Sequence, residues 1–392
     1  MIRICWRKLS NSSPLLELAF ICTSCKKPYE GQEIPTLCSC GHPLEVRLDL
    51  VKTASASATA TINQTDPSLW RYRSVLPPIS DEHITTLIEG WTALNRAEDY
   101  LGVSLYFKDE TVNPTGSFKD RGMSLAISHL RSYGIRAVCL PSAGNAGVAA
   151  AAYCQEAGIE CHVYLPETIP TPFFEATEKY GATVRLVGKT IADASNAMKK
   201  EKHETWSDLS TLKEPFRVEG KKTLGYEIAE QLEWCFPDVV VYPTGGGTGL
   251  MGMWKAFNEM KEMGWVEGNL PRMVVVQSSG CAPIVNAFEK GLKKHQPWQK
   301  PETSALGLNV SNPIGGPWML RVLRESAGIA VMVEEGEIPA AWKEVAVVSG
   351  TEPSPEAGVA WLGFKSFVDS GWIHPEEVVI IPITGSGERY AL

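Results

Sequence analysis

No apolar run in this chain approaches the ~18 residues that a membrane-spanning helix needs, so no span is expected. No block of Lys or Arg exceeds short doublets such as Lys199-Lys200, and 37 basic residues face 45 acidic ones for a net charge of −8. That balance argues against a nucleic-acid partner. Several catalytic signatures are missing: there is no His-Glu-x-x-His pair, no G-x-S-x-G turn and no phosphate-loop lysine. The ten cysteines are scattered over 392 residues rather than packed into a disulfide framework, which fits a reduced, cytoplasmic compartment. The start does not read as a signal peptide, because Glu17 interrupts the apolar stretch at 14–20 and no small-residue cleavage site follows.

What remains is an ordinary globular composition, 44% hydrophobic and 21% charged, on a chain long enough for two or three domains with a large core. Five cysteines fall within the first fifty residues, four of them as Cys22-x2-Cys25 and Cys38-x-Cys40. Two such knuckles are how a zinc ribbon gathers four thiolates around a tetrahedral ion. The second knuckle is tight, and His42 competes as a ligand; a ribbon without metal is the alternative. Residues 1–50 are therefore expected to form a zinc-ribbon-like segment. Residues 51–68 are small and polar without periodicity, and read as a linker. Beyond about residue 90, apolar strand-like runs (103–107, 137–140, 160–165, 183–187, 238–242, 273–276 and 377–381) alternate with amphipathic helical patterns. Continuous apolar strands between such helices predict an α/β fold with parallel sheets covered on both faces. Two α/β domains are expected: a larger one from 69–125 and 225–392, and a smaller one from 126–224.

The special residues fall at the carboxyl ends of these strands, where sites in open parallel sheets lie. After the run at 103–107, the turn Asn113-Pro114-Thr115-Gly116 delivers Lys119 to the start of a helical pattern. The positive end of a helix disfavours the ammonium form, so a lysine there is a candidate to capture an aldehyde cofactor. The turn Ser142-Ala143-Gly144-Asn145 offers an amide to a ligand oxygen. Gly245, Gly246, Gly247, Thr248 and Gly249 open another helix and expose N–H groups suited to a phosphate. Thr384 places a hydroxyl at the end of the last strand. The set suits pyridoxal 5′-phosphate. A rival exists, because Gly247-x-Gly249-x-x-Gly252 satisfies the dinucleotide pattern. That pattern expects an acid at the end of the next strand, and this chain has Gln277-Ser278 there.

The stretch Asn113-Pro-Thr-Gly-Ser-Phe-Lys119-Asp-Arg-Gly122 resembles the cofactor-lysine motif of the threonine synthases, within the fold type II pyridoxal-phosphate enzymes. Ser142-Ala-Gly-Asn145 is similar to that family's asparagine turn. Thr384-Gly-Ser-Gly387 resembles its C-terminal Thr-Gly-Asn-Gly, and Arg217-Val-Glu-Gly-Lys-Lys222-Thr its Arg-x-Glu-Gly-x-Lys-Thr. The resemblance spans roughly 20–390 and extends to the cysteine ribbon. It implies a tryptophan synthase β-like architecture and a lyase that converts O-phospho-L-homoserine and water to L-threonine and phosphate. Lys119 is then the catalytic lysine, with Asn145, the 245–249 loop and Thr384 on the cofactor. Lys108, Ser142, Arg217 and Lys222 are the candidates for the substrate, and a small-molecule amino-acid substrate and a homodimer are expected. Two departures, the triple glycine and Ser386 in place of asparagine, leave β-replacement on O-phosphoserine, as in cysteate synthases, and threonine or serine dehydration as alternatives.

Overall fold

The structure, a computed structural model, describes residues 18–29, 36–54, 56–97 and 100–390. The signal-peptide reading of the chain start lies largely outside them. Contacts divide the chain into two compact units: Met1–Trp91 with Lys119–Thr223 and Glu259–Trp265, and Thr92–Phe118 with Leu224–Asn258 and Val266–Leu392.

The first unit is built on a four-stranded parallel sheet in the order Thr183–Leu186, Glu160–Leu165, Ala137–Pro141, Ser207–Asp208. Helix Asn145–Ala157 covers it with the run Ala149–Ala152, whose small side chains are buried and let the helix sit close. Its neighbours in the core include Met123 and Leu130 from helix Lys119–Ser132, and Val138, Leu140 and Val163 from the sheet. The ribbon belongs to this unit. Strand Leu18–Cys22 pairs antiparallel with Leu44–Leu48 and with Pro28–Tyr29. The Phe20 ring meets Phe216 edge-on at 5.7 Å, and Phe216 stacks on His129 at 3.9 Å.

Two expectations change here. The 51–68 segment is not a bare tether: it holds single helical turns at Val51–Ala54 and Ala58–Thr61, buries Ala58 and Ile62, and receives the Trp265 indole N–H on the Ala56 carbonyl at 3.0 Å. Residues 69–91, assigned to the larger domain from sequence, pack in the first unit instead. Trp70 Nε1 donates to Ser124 Oγ (3.0 Å), the Thr85 N–H to Ser128 Oγ (2.8 Å), and the Tyr153 hydroxyl to Glu89 (2.7 Å). The serines that receive this segment lie on the Lys119 helix, a pairing that carries no periodic signal.

The second unit has a six-stranded sheet in the order Ile329–Val333, Arg272–Ser278, Val239–Pro243, Val378–Ile383, Ser104–Asp109, Leu94–Arg96. All neighbours are parallel except the last pair. Helix Pro355–Asp369 buries Trp361 and Phe364 against Val239, Val241, Val274 and Ile381.

One crossing fixes the helix that begins at Lys119. Gly122 on that helix lies against the Arg217 carbonyl, 2.8 Å from where a Cβ would stand, and against the Lys221 amine. Gly220, on helix Phe216–Gln231, lies against the Arg121 carbonyl so closely that any Cβ would overlap it. Two backbones meet here with no room for side chains. Overpacking costs roughly 1–3 kcal/mol or more where only backbone can yield. Gly220→Ala should therefore lower the urea midpoint by a corresponding amount; an unchanged midpoint at unchanged slope would contradict the crossing.

Candidate active site

The approach to Lys119 is held by polar contacts within the second unit. Asp109 caps the turn Glu110–Val112 through the Thr111 N–H at 3.0 Å. The Asn113 amide donates to the Glu110 carbonyl (3.1 Å) and carboxylate (2.9 Å), and that carboxylate also accepts from Thr92 Oγ1 at 2.7 Å. The next residues pair with the segment after the last strand. Ser386 N–H donates to the Gly116 carbonyl (2.8 Å), Ser117 bridges Gly385, and Phe118 N–H donates to the Thr384 carbonyl (3.1 Å). Arg389 Nη1 adds a bond to the Thr115 carbonyl at 2.9 Å. The residue that precedes Lys119 is thus tied directly to Thr384. Lys119 itself is half-buried at the first position of its helix.

The glycine loop follows strand Val239–Pro243 and opens helix Thr248–Glu262. Gly245 packs on the Gly307 carbonyl, and Gly247 has φ +75° with the Met319 thioether against its Cα. That conformation and that space both exclude a side chain. Apart from Thr248, the loop therefore presents backbone rather than side chains at the positive end of a fifteen-residue helix, as an anion cradle requires. The rival dinucleotide reading fails at Gln277. Its Nε2 donates to the Thr244 carbonyl (2.9 Å), and its Oε1 accepts the Ile284 and Val285 N–H groups (2.9 and 3.2 Å). The side chain at the position that would need an acid is a brace for the glycine loop.

In the first unit, the Ser142–Asn145 turn closes on itself. Ser142 Oγ donates to the Gly144 carbonyl (3.0 Å) and accepts the Gly144 and Gly147 N–H groups (3.2 and 2.9 Å). Ser142 was expected to bind substrate; its hydroxyl instead shapes the turn. Asn145 Oδ1 is buried and has no hydrogen-bond partner. A buried amide oxygen without a partner calls for a donor, and the Nδ2 of the same side chain is the group that can donate to a ligand oxygen. The orphan amide, the glycine cradle and the lysine at a helix start fit pyridoxal 5′-phosphate.

The three candidate cations for the substrate separate by their partners. Lys108 is fully buried, with its ammonium on Glu227 (2.9 Å), the Thr92 carbonyl (2.5 Å) and Gln231 (2.9 Å). Lys222 is likewise buried between Glu219 (3.0 Å) and Glu259 (2.9 Å). Both are neutralised inside the fold, so neither serves as the expected substrate ligand. Arg217 differs. It is 1% exposed, its Nη1 donates to the Leu209 carbonyl at 2.7 Å, and its Nε is buried without a partner. Among the described residues no carboxylate lies within ion-pair distance of it, and burial draws its guanidinium down to about 10. Two neighbours went unnoticed in the sequence. Glu214 caps helix Phe216–Gln231, accepting the Phe216 and Arg217 N–H groups at 3.1 and 2.8 Å, and burial pushes its carboxyl up to about 7. The Lys221 amine lies on Gly122, held well below the usual lysine range first by burial and then by the charges of Arg217 and Lys119. In the sequence, Lys221 is marked only by the doublet Lys221-Lys222.

In the ribbon, the sulfurs of Cys22, Cys25, Cys38 and Cys40 all lie within 4.8 Å of one another, with Cys22–Cys40 at 3.4 Å, Cys25–Cys38 at 3.7 Å and Cys25–Cys40 at 3.7 Å. Bonds of ~2.3 Å in a tetrahedron space sulfurs by about 3.8 Å, so the cluster has the dimensions of a four-thiolate site. His42 turns its Nδ1 to the Cys40 carbonyl at 3.1 Å and stands outside that group. The Cys40 backbone N–H helps to draw the Cys38 thiol down to about 6, readying it to ligate.

Residues 85–385 match the protein family described as pyridoxal-phosphate dependent enzyme. The chain is 34% identical over 371 residues to the threonine synthase of Methanocaldococcus jannaschii, covering 93% of this chain and 91% of that protein. It is 33% identical to the threonine synthase of Methanosarcina acetivorans, with 93% and 90% covered. Among solved structures, the processed form of threonine deaminase isoform 2 from Solanum lycopersicum shares the fold at a TM-score of 0.66 and 23% identity, over 83% of this chain and 91% of that one. Maize serine racemase does so at 0.65 and 21%, over 76% and 88%. These neighbours have the fold type II architecture that the resemblance implied, and the parallel sheets are those that the strand and helix pattern predicted. The chain belongs to the pyridoxal-phosphate dependent enzymes and, within them, to the threonine synthase family.

Proposed function

We propose that this protein is a threonine synthase that converts O-phospho-L-homoserine and water to L-threonine and phosphate. The observation that carries the substrate is Arg217, a buried guanidinium with no carboxylate against it. A buried unpaired charge is costly unless a ligand of opposite sign completes it. Planar, bidentate donation to a phosphate would do so and would fix the geometry of the leaving group. Threonine and serine carry no such dianion, which is why the dehydratase reading explains Arg217 poorly.

Pyridoxal phosphate, when bound, supplies an aldehyde for capture of the substrate amine and a ring that takes up electron density from Cα. Lys119 would hold its aldehyde carbon, Asn145 its ring oxygen, the 245–249 loop its phosphate and Thr384 its ring nitrogen. Lys119 would take the proton from Cα and then one from Cβ, so that phosphate leaves from Cγ; a proton returned to Cγ completes the methyl group, water adds at Cβ, and a proton returned to Cα gives threonine. Such a base works best with a proton affinity near the working pH. Thr384 offers a neutral hydroxyl rather than a carboxylate, which moderates the ring as an electron sink. A homodimer in the cytoplasm is part of the same proposal. Among the described residues no helix is long and apolar enough to cross a membrane.

Borohydride reduction of the purified yellow holoenzyme should fix the cofactor to the peptide that contains Lys119; attachment at another lysine would overturn the assignment. Arg217→Ala should lower kcat/KM for O-phosphohomoserine by ~10-fold or more, the scale of a charge-assisted hydrogen bond, with cofactor absorbance retained. Unchanged kinetics would remove Arg217 from the site. For the ribbon we propose one zinc held by Cys22, Cys25, Cys38 and Cys40. Elemental analysis should find one zinc per chain, lost in Cys25→Ser; a wild-type protein purified without zinc and melting at the same temperature with or without added zinc would contradict it.

A further inference from the structure

Tyr242 closes strand Val239–Pro243 immediately before the glycine loop. It is 2% exposed, and its hydroxyl is buried without a hydrogen-bond partner. Buried tyrosine hydroxyls ordinarily find one, because leaving the donor unmet costs free energy that phenylalanine would avoid. The location is specific. The Tyr242 oxygen occupies the space that a side chain at Gly249 would fill, in the first turn of helix Thr248–Glu262. Its ring meets Phe118 edge-on at 6.2 Å, and Phe118 lies 3.1 Å from that same Gly249 Cβ position. Burial, together with the Glu110 carboxylate, holds the phenol well above its usual range, so the hydroxyl keeps its proton and is a donor. The Glu110 oxygens already accept from Thr92 and Asn113.

We propose that the Tyr242 hydroxyl donates a hydrogen bond to the cofactor's phosphate at the start of this helix, in the place of a side chain at 249. A side-chain donor would thereby be added to a cradle made of backbone apart from Thr248, with Gly249 needed so that the tyrosine can reach. The inference rests on the reading of 245–249 as the phosphate loop. A phosphate monoester at this position has two sources, cofactor and substrate; the cofactor is favoured because the hydroxyl lies against the last glycine of the loop itself.

Tyr242→Phe removes one oxygen and keeps the ring. Apoprotein should be titrated with pyridoxal phosphate and, separately, with pyridoxal, and melted with and without each. The variant should bind pyridoxal phosphate about 10-fold or more weakly, the scale of a hydrogen bond to a charged group, and bind pyridoxal as the wild type does. The variant apoprotein should melt no lower than wild type, since an unmet donor has been removed, and its gain on adding pyridoxal phosphate should be smaller. Equal affinity for pyridoxal phosphate, equal weakening toward both ligands, or a lower-melting apoprotein would each overturn the proposal. So would a raised KM for O-phosphohomoserine at unchanged cofactor affinity, which would give the hydroxyl to the substrate's phosphate. Wild-type apoprotein that fails to bind pyridoxal phosphate would instead defeat the cofactor reading beneath it.

Discussion

Lys119 begins its helix where it does because the residues before it are hydrogen-bonded to the end of the last strand. The contacts Gly116–Ser386, Ser117–Gly385 and Phe118–Thr384 join segments far apart in sequence through backbone groups alone. Backbone pairing of this kind does not depend on side-chain rotamers, and it fixes the lysine's origin more firmly than a loop can. On the other side, the crossing of Gly122 over Arg217 and of Gly220 over Arg121 sets how the Lys119 helix lies on the helix that carries Arg217 and Lys221. The ladder thus orders the residues that lead to Lys119 within the second unit, and the crossing orders the Lys119 helix within the first.

Electrostatics then sorts residues that composition treats alike. Lys108, Lys222 and Arg217 are all buried cations. Two of them stand against carboxylates and are structural, because a buried ion pair is costly to break and has no charge to spare. The third has carboxylates nearby, Glu214 and Asp208, that influence it without pairing. The same logic, applied to neutral groups, picks out Asn145 and Tyr242, whose polar atoms are buried and unmet. Buried groups without partners are rare enough in folded proteins that each of these calls for a ligand or another explanation.

The parallel sheets were legible because their strands are continuous apolar runs: Glu160–Leu165 stands where expected, and Ser104–Asp109 and Val239–Pro243 are shifted by one or two residues. The edge strand Ile329–Val333 is also a continuous apolar run, but no glycine-rich turn follows it to mark a strand end. The helices Gly316–Glu325 and Ile338–Ser349 begin at no glycine-rich turn that follows an apolar strand, so no local motif marks them. Lys119, the glycine loop and the four cysteines were readable from spacing, since their chemistry depends on local turns. Which of several basic residues meets a substrate was not, because that is decided by partners such as Glu227 and Glu259 that no motif contains. The packing of 69–91 was hidden for the same reason, its anchors being Ser124 and Ser128 on a distant helix.

The central claim is that this site removes phosphate from a γ-phosphorylated amino acid and returns a β-hydroxy amino acid. Purified holoenzyme incubated with O-phosphohomoserine, O-phosphoserine, threonine and serine in turn tests it directly, with phosphate and amino-acid products measured in the same reaction. The account predicts one phosphate and one threonine from each O-phosphohomoserine consumed. Turnover of threonine or serine to an oxo acid and ammonia, with O-phosphohomoserine left untouched, would contradict it.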